Sequence, residues 1–101
     1  MTILYSLYKY LLFFTLAPGG TEATEASGVV IDKATGQPLT NVYVYSIKGE
    51  EETLSSDKGT FKIVSWEALP VVLSFEKKGY KTVRLPLRKE QKNIKVLLET
   101  Y

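Results

Sequence analysis

Histidine and cysteine are both missing from this chain of 101 residues. Without histidine there is no serine–histidine–carboxylate relay, no imidazole general base and no imidazole ligand for zinc. Without cysteine there is no disulfide, no thiolate nucleophile, no thiolate metal site and no residue to carry the lipid of a bacterial lipoprotein. An excess of charge of one sign is lacking as well. A net charge of +2 with 24% charged residues is ordinary for a soluble domain and leaves no electrostatic footprint for nucleic acid. Nothing in the sequence assembles a catalytic group, a cofactor site or a metal site. The chain is long enough for one domain. If the first two dozen residues lie outside the fold, the remainder buries only about 60 to 65% of its unfolded surface, with little room for a deep active-site cavity beside the core.

What is present falls into two parts. Residues 1–26 differ in composition from the rest. Ile3, Leu4, Leu7 and Tyr8 lead into the uncharged, largely apolar run 10–17, and Lys9 is the first charged side chain before Glu22. Pro18-Gly19-Gly20 then breaks any helix, and small or polar residues continue through Ala26. One cation, a compact apolar stretch, a breaker and small residues together have the layout of a secretory signal. Candidate cleavage points follow Gly19, Ala23 and Ala26. The rival reading is an uncleaved membrane anchor, against which stand a spanning requirement of about 20 apolar residues and the position of Lys9.

From Ser27 to the end, residues 27–101, short β-branched runs alternate with turn residues. Strands are expected over 28–32, 41–47, 52–55, 59–64, 71–77, 81–87 and 93–99, about seven in all, an ordinary number for a small sandwich. Several alternate cleanly. Val42 and Val44 face one way and Tyr43 and Tyr45 the other; Phe61 and Ile63, Val71, Leu73 and Phe75, and Ile94, Val96 and Leu98 mark further buried faces. One face dry and one wet is the pattern of antiparallel sheets packed as a sandwich. Gly36, Gly59 and Gly79 are expected at positive φ in the turns. Pro38 and Pro86 are expected at edges or strand starts, since they cannot donate to a ladder. The stretch 65–69 reads as a loop or a short helical turn.

Four pieces carry a family resemblance: Gly28-x-Val30-x-Asp32; Thr35-Gly36-x-Pro38-Leu39; Ser56-Asp57-x-Gly59-x-Phe61; and Leu73-Ser74-Phe75 with Gly79-Tyr80. In this order and spacing the chain resembles the carboxypeptidase regulatory-like domain family over about three quarters of its length. The resemblance implies an all-β, seven-stranded antiparallel Greek-key sandwich of transthyretin-like shape, without catalytic residues. It also implies a module that packs or docks beside metallocarboxypeptidases or TonB-dependent outer-membrane receptors. Thr40-Asn41 departs from the family, which usually places a small Gly- or Ala-containing pair there.

Three aromatic residues form the candidate binding surface. Tyr43 and Tyr45 lie on the outward face of a strand and Trp66 in a loop, where exposed rings can dock protein or sugar; packing within the molecule is the bland alternative. A late basic series, Lys77, Lys78, Lys81, Arg84, Arg88, Lys89, Lys92 and Lys95, is either a solvated face or a contact for anionic lipid or an acidic partner. Sparse aromatic interleaving argues against single-stranded nucleic acid. Glu50-Glu51-Glu52 lacks calcium-loop spacing and reads as a charged hairpin loop, and Asp32 and Asp57 read as turn formers. The expected object is a non-enzymatic module exported to the periplasm, outer membrane or medium. Its expected partner is a protein acting in trans, such as an outer-membrane receptor or a peptidase, with membrane proximity; the alternative is a carbohydrate- or envelope-polymer-binding module.

Overall fold

In the computed structural model, which describes residues 22–101, seven strands follow one another: β1 (Thr24–Asp32), β2 (Tyr43–Ile47), β3 (Glu51–Leu54), β4 (Thr60–Ser65), β5 (Val71–Glu76), β6 (Val83–Leu87) and β7 (Gln91–Leu98). They form a three-stranded sheet in the order β4-β1-β7 and a four-stranded sheet in the order β3-β2-β5-β6. Each strand lies within a few residues of its expected place. The alternation also holds: Val42, Val44, Phe61, Ile63, Val71, Leu73, Phe75, Ile94, Val96 and Leu98 all line one core. Phe61 and Phe75 meet edge-on there at 5.2 Å between centroids, the arrangement that suits the ring quadrupoles.

Two features depart from the expected picture. β1 begins at Thr24 rather than Gly28, and Ala26 is fully buried between Ile63 of β4 and Gln91 of β7. The segment read as leader through Ala26 therefore overlaps the first strand by three residues; the rest of that reading, residues 1–21, lies outside the described part. Secondly, β1 and β7 run parallel, whereas the other pairs are antiparallel. Both strands enter from the same end of the sandwich. Gly28 makes their close approach workable: a Cβ there would stand 2.0 Å from the carbonyl oxygen of Ile94, and backbone cannot yield as a flexible side chain does.

The sandwich has two poles. At the near pole the chain enters β1, β4 ends, the 66–70 loop passes to β5, and β6 turns into β7. At the far pole lie the 33–40 loop, the β3–β4 and β5–β6 turns, and the end of β7. Gly59 takes φ 76° in the β3–β4 turn, and its carbonyl accepts the Val30 amide at 2.8 Å. The side chain that shapes this turn is Ser56, not Asp57: its Oγ accepts the amides of Lys58 and Thr60 at 3.3 and 3.2 Å, while Asp57 instead receives the Thr40 hydroxyl at 3.5 Å. Asn41 accounts for the departure at Thr40-Asn41. It sits at φ 57°, a conformation that asparagine tolerates better than other residues with a Cβ. Pro38, outside the strands, bridges to Ile31 of β1, and Pro86 lies on edge strand β6.

Candidate functional site

The outward face of the four-stranded sheet is built on β2. Residues two apart on a strand share a face, so Tyr43 and Tyr45 stand side by side with ring centroids 4.8 Å apart and planes at 32°. Their hydroxyls reach diagonally across the neighbouring strands. Tyr43 lies opposite Leu54 and Glu76 but donates to Glu52 at 2.6 Å, and Tyr45 lies opposite Glu52 and Ser74 but donates to Glu76 at 2.5 Å. The amide of Gly49 also donates to Glu52 at 3.1 Å. Lys48 lies 5.2 Å from the centre of the Tyr45 ring and 3.8 Å from Glu76, near enough for both cation–π and ionic attraction. The hydrogen bond to Glu52, which holds the phenol's proton, pushes Tyr43 above its ordinary value, and burial adds to it.

These contacts hold both rings in place before anything binds, which lowers the entropy that a docking surface loses on complex formation. Leu54 and Val72, both about half exposed, extend the apolar area on either side. Ser74 points outward by register yet is buried, flanked by Tyr45 on one neighbour strand and Arg84 on the other.

Trp66 is not part of this face. It follows the last residue of β4, in the other sheet, and forms no ring pair with either tyrosine. Its amide donates at 2.6 Å to Glu51, which also accepts the hydroxyls of Ser46 and Ser65 at 2.6 Å each. Glu51 and Glu52 point to opposite sides of β3 by alternation, so the groups that hold Trp66 and Tyr43 are on opposite sides of one strand. Burial is the largest influence on the Glu51 carboxyl and pushes it up, but the two hydroxyls and the amide together outweigh it and hold the group below its ordinary value. The acidic triplet is therefore no loose hairpin loop: Glu51 clamps the near pole and Glu52 braces a tyrosine. Sequence gave no sign of either role, because both depend on strands brought together only by folding.

The basic series does not form one patch either. Lys77, Lys78 and Lys81 lie at the far pole, Arg84 on the tyrosine face, Arg88, Lys89 and Lys92 at the near pole, and Lys95 on the outside of the three-stranded sheet.

At the far pole a polar network ties the loops. Asp32 accepts the amides of Ala34 and Thr35 at 2.8 and 3.1 Å and the hydroxyl of Tyr80 at 2.6 Å. The Tyr80 hydroxyl first, and the amides after it, hold Asp32 below its ordinary value. Glu99 meets Lys81 at 2.9 Å and Lys33 at 3.1 Å, and these two cations lower its pKa in that order. An open cleft of about 550 Å³ lies beside this network, lined in part by Tyr43, Glu76, Lys77, Tyr80 and Tyr101. Each carboxyl whose pKa is displaced moves downward, the opposite of what a general acid at neutral pH requires. Among the described residues no group of acidic side chains is arranged to hold a metal ion.

Comparison with known proteins agrees with this architecture. The family model of the CarboxypepD_reg-like domain matches residues 26–101. Two solved structures are similar in fold, both of type II cohesin-X-dockerin complexes from Acetivibrio cellulolyticus, one an N-terminal and the other a C-terminal interface mutant. Each aligns with a TM-score of 0.58 at 17% identity, over 76% and 74% of this chain and 58% and 56% of theirs. The chain thus spans less than two thirds of either. No curated protein matches it in sequence.

Proposed function

The chain belongs to the CarboxypepD_reg-like domain family, and from that premise we propose that it is a non-catalytic β-sandwich module that binds a protein partner at the cell envelope. The observation that carries this reading is the braced tyrosine pair. Tyr43 and Tyr45, held by Glu52 and Glu76 and bordered by Leu54 and Val72, make a rigid surface with an apolar body and polar rim, the composition of protein-binding faces. The structurally similar chains come from complexes between proteins, which supports the same use of the fold, although fold likeness alone assigns no partner. The lack of histidine and cysteine and the downward-shifted carboxyls support a non-enzymatic role. The apolar run 10–17 would direct the chain to the envelope, where an outer-membrane receptor or a peptidase would be met in trans.

The test is site-specific photo-crosslinking in the native host. A crosslinking residue at Leu54 should capture one defined protein in the envelope fraction, and the same residue at Lys62 on the opposite sheet should not. Replacing Tyr43 and Tyr45 together with alanine should abolish the Leu54 product without unfolding the domain. Capture that survives the double substitution, or an intact chain found in the cytosol, sinks the reading. The alternative, a carbohydrate-binding module, would use Tyr43, Tyr80 and Tyr101 around the far-pole cleft, since Trp66 does not join the tyrosines. Saturable glycan binding lost on Tyr101→Ala would favour it.

A further inference from the structure

We propose that the near pole faces a lipid bilayer, with Trp66 and Leu69 seated in its interfacial layer beside the apolar run 10–17. The inference rests on the reading of this run as an uncleaved membrane anchor that stays joined to the domain; it makes no use of the tyrosine face. Chain geometry comes first. Seven residue steps separate Ala17, the end of the run, from Thr24, the start of β1, and fully extended they reach at most about 25 Å. β1 has nine residues and so runs roughly 30 Å toward the far pole. A bilayer that holds the run therefore lies within reach of the near-pole loops, with the far pole a strand's length further off.

The side chains waiting at that pole suit the position. Trp66 is 65% exposed and Leu69 47% exposed, and neither side chain is used by the core. Leu69 lines an open cleft of about 420 Å³ together with Ala23, Ala68 and the charged Glu22, Glu67, Lys89 and Glu90, so apolar and charged side chains are interleaved where the chain enters the domain. Tryptophan concentrates at the membrane–water boundary because its ring is apolar and its N–H wants a wet partner. Arg88, Lys89 and Lys92 are matched at this pole by Glu22, Glu67 and Glu90. Electrostatic attraction to anionic lipid is thus not the driving force, and burial of Trp66 and Leu69 must supply it. Contact should therefore tolerate salt, unlike that of a polybasic segment.

Trp66 is the one tryptophan in the chain, so its fluorescence reports on this pole alone. The full chain would be mixed with phosphatidylcholine vesicles, floated through a density gradient, and measured with lipids brominated either near the head group or deep in the acyl chain. The expected result is co-flotation, a blue-shifted Trp66 emission, and stronger quenching by the shallow bromines than by the deep ones, all unchanged at high salt. Leu69→Asp should keep the fold and the flotation but return the emission toward its value in water. A chain that stays at the bottom of the gradient overturns the proposal. So does one that floats with Trp66 unquenched, which would leave the pole free for a protein partner. Release of Trp66 by salt, or a signal indifferent to Leu69→Asp, would overturn it equally. Crosslinking at Leu54 is scored independently, so failure of the membrane contact and failure of the tyrosine face are separable.

Discussion

The two poles of the sandwich are closed in different ways. At the far pole, Asp32 gathers two amides and the Tyr80 hydroxyl, and Glu99 holds Lys33 and Lys81, so the loops are tied to one another and to the end of β7. At the near pole one carboxylate, Glu51, joins the β2–β3 hairpin to the end of β4, while Trp66 and Leu69 stay exposed. The difference separates two uses of polar chemistry on one small scaffold. Where side chains satisfy each other the pole contributes to stability; where apolar side chains are left uncovered the pole is available for contact.

The largest effect should come from what both poles share. Phe75 is fully buried and packs on Phe61, so Phe75→Ala should cost about 3–5 kcal/mol, read as a lower urea midpoint. That is a large part of the stability of so small a domain, and both poles should lose amide protection together. Next is Glu51→Ala. It leaves the nearly buried Ser65 hydroxyl and two further donors without their acceptor, at a cost of about 1–3 kcal/mol. Hydrogen exchange should then rise at the near pole while the far pole keeps its protection; equal loss at both would erase the distinction drawn here.

Acid should act mainly on the far pole. Asp32 and Glu99 there, and Glu51 at the near pole, are all held below their ordinary values of 3.8 and 4.5. A carboxyl depressed in the folded state contributes stability that is complete above its unfolded value and is lost as pH falls through the folded one. Thermal melting should therefore be steady from pH 7 to about 5 and decline below that. Asp32→Asn, which keeps the shape but not the charge, should flatten part of the decline; an unchanged slope would remove Asp32 from the account. The smallest effect belongs to Leu69→Asp, an exposed position where melting should move by less than about 0.5 kcal/mol even though the Trp66 emission on vesicles returns toward its value in water.

Much of this was readable along the chain. The alternation of Val42 and Val44 with Tyr43 and Tyr45 named both the buried face and the tyrosine face, because side-chain direction on a strand repeats every second residue. Asp32 was legible as a turn former because its partners, Ala34 and Thr35, are two and three residues away. Glu51 was not, since Ser65 and Trp66 lie fourteen and fifteen residues beyond it and no local pattern marks the pairing. The sequence points to Asp57 for the turn that Ser56 makes, because both are competent acceptors at neighbouring positions. The start of β1 was missed because Thr24-Glu25-Ala26 has the small residues of a processing site, and only pairing with β4 identifies it as strand.

Read alone, the chain settles the all-β class, the number of strands, the inward set of side chains and the lack of histidine and thiol chemistry, because each of these follows from composition or from a period of two residues. Folding alone decided that β1 and β7 run parallel, that Tyr43 and Tyr45 are braced by carboxylates from two other strands, that Trp66 stands apart from them, and that the eight basic residues named between positions 77 and 95 scatter over both poles and both sheets. The reason is that each of those facts joins residues on different strands, from nine apart for Tyr43 and Glu52 to more than sixty for β1 and β7, so sheet order and register must exist before they can be true.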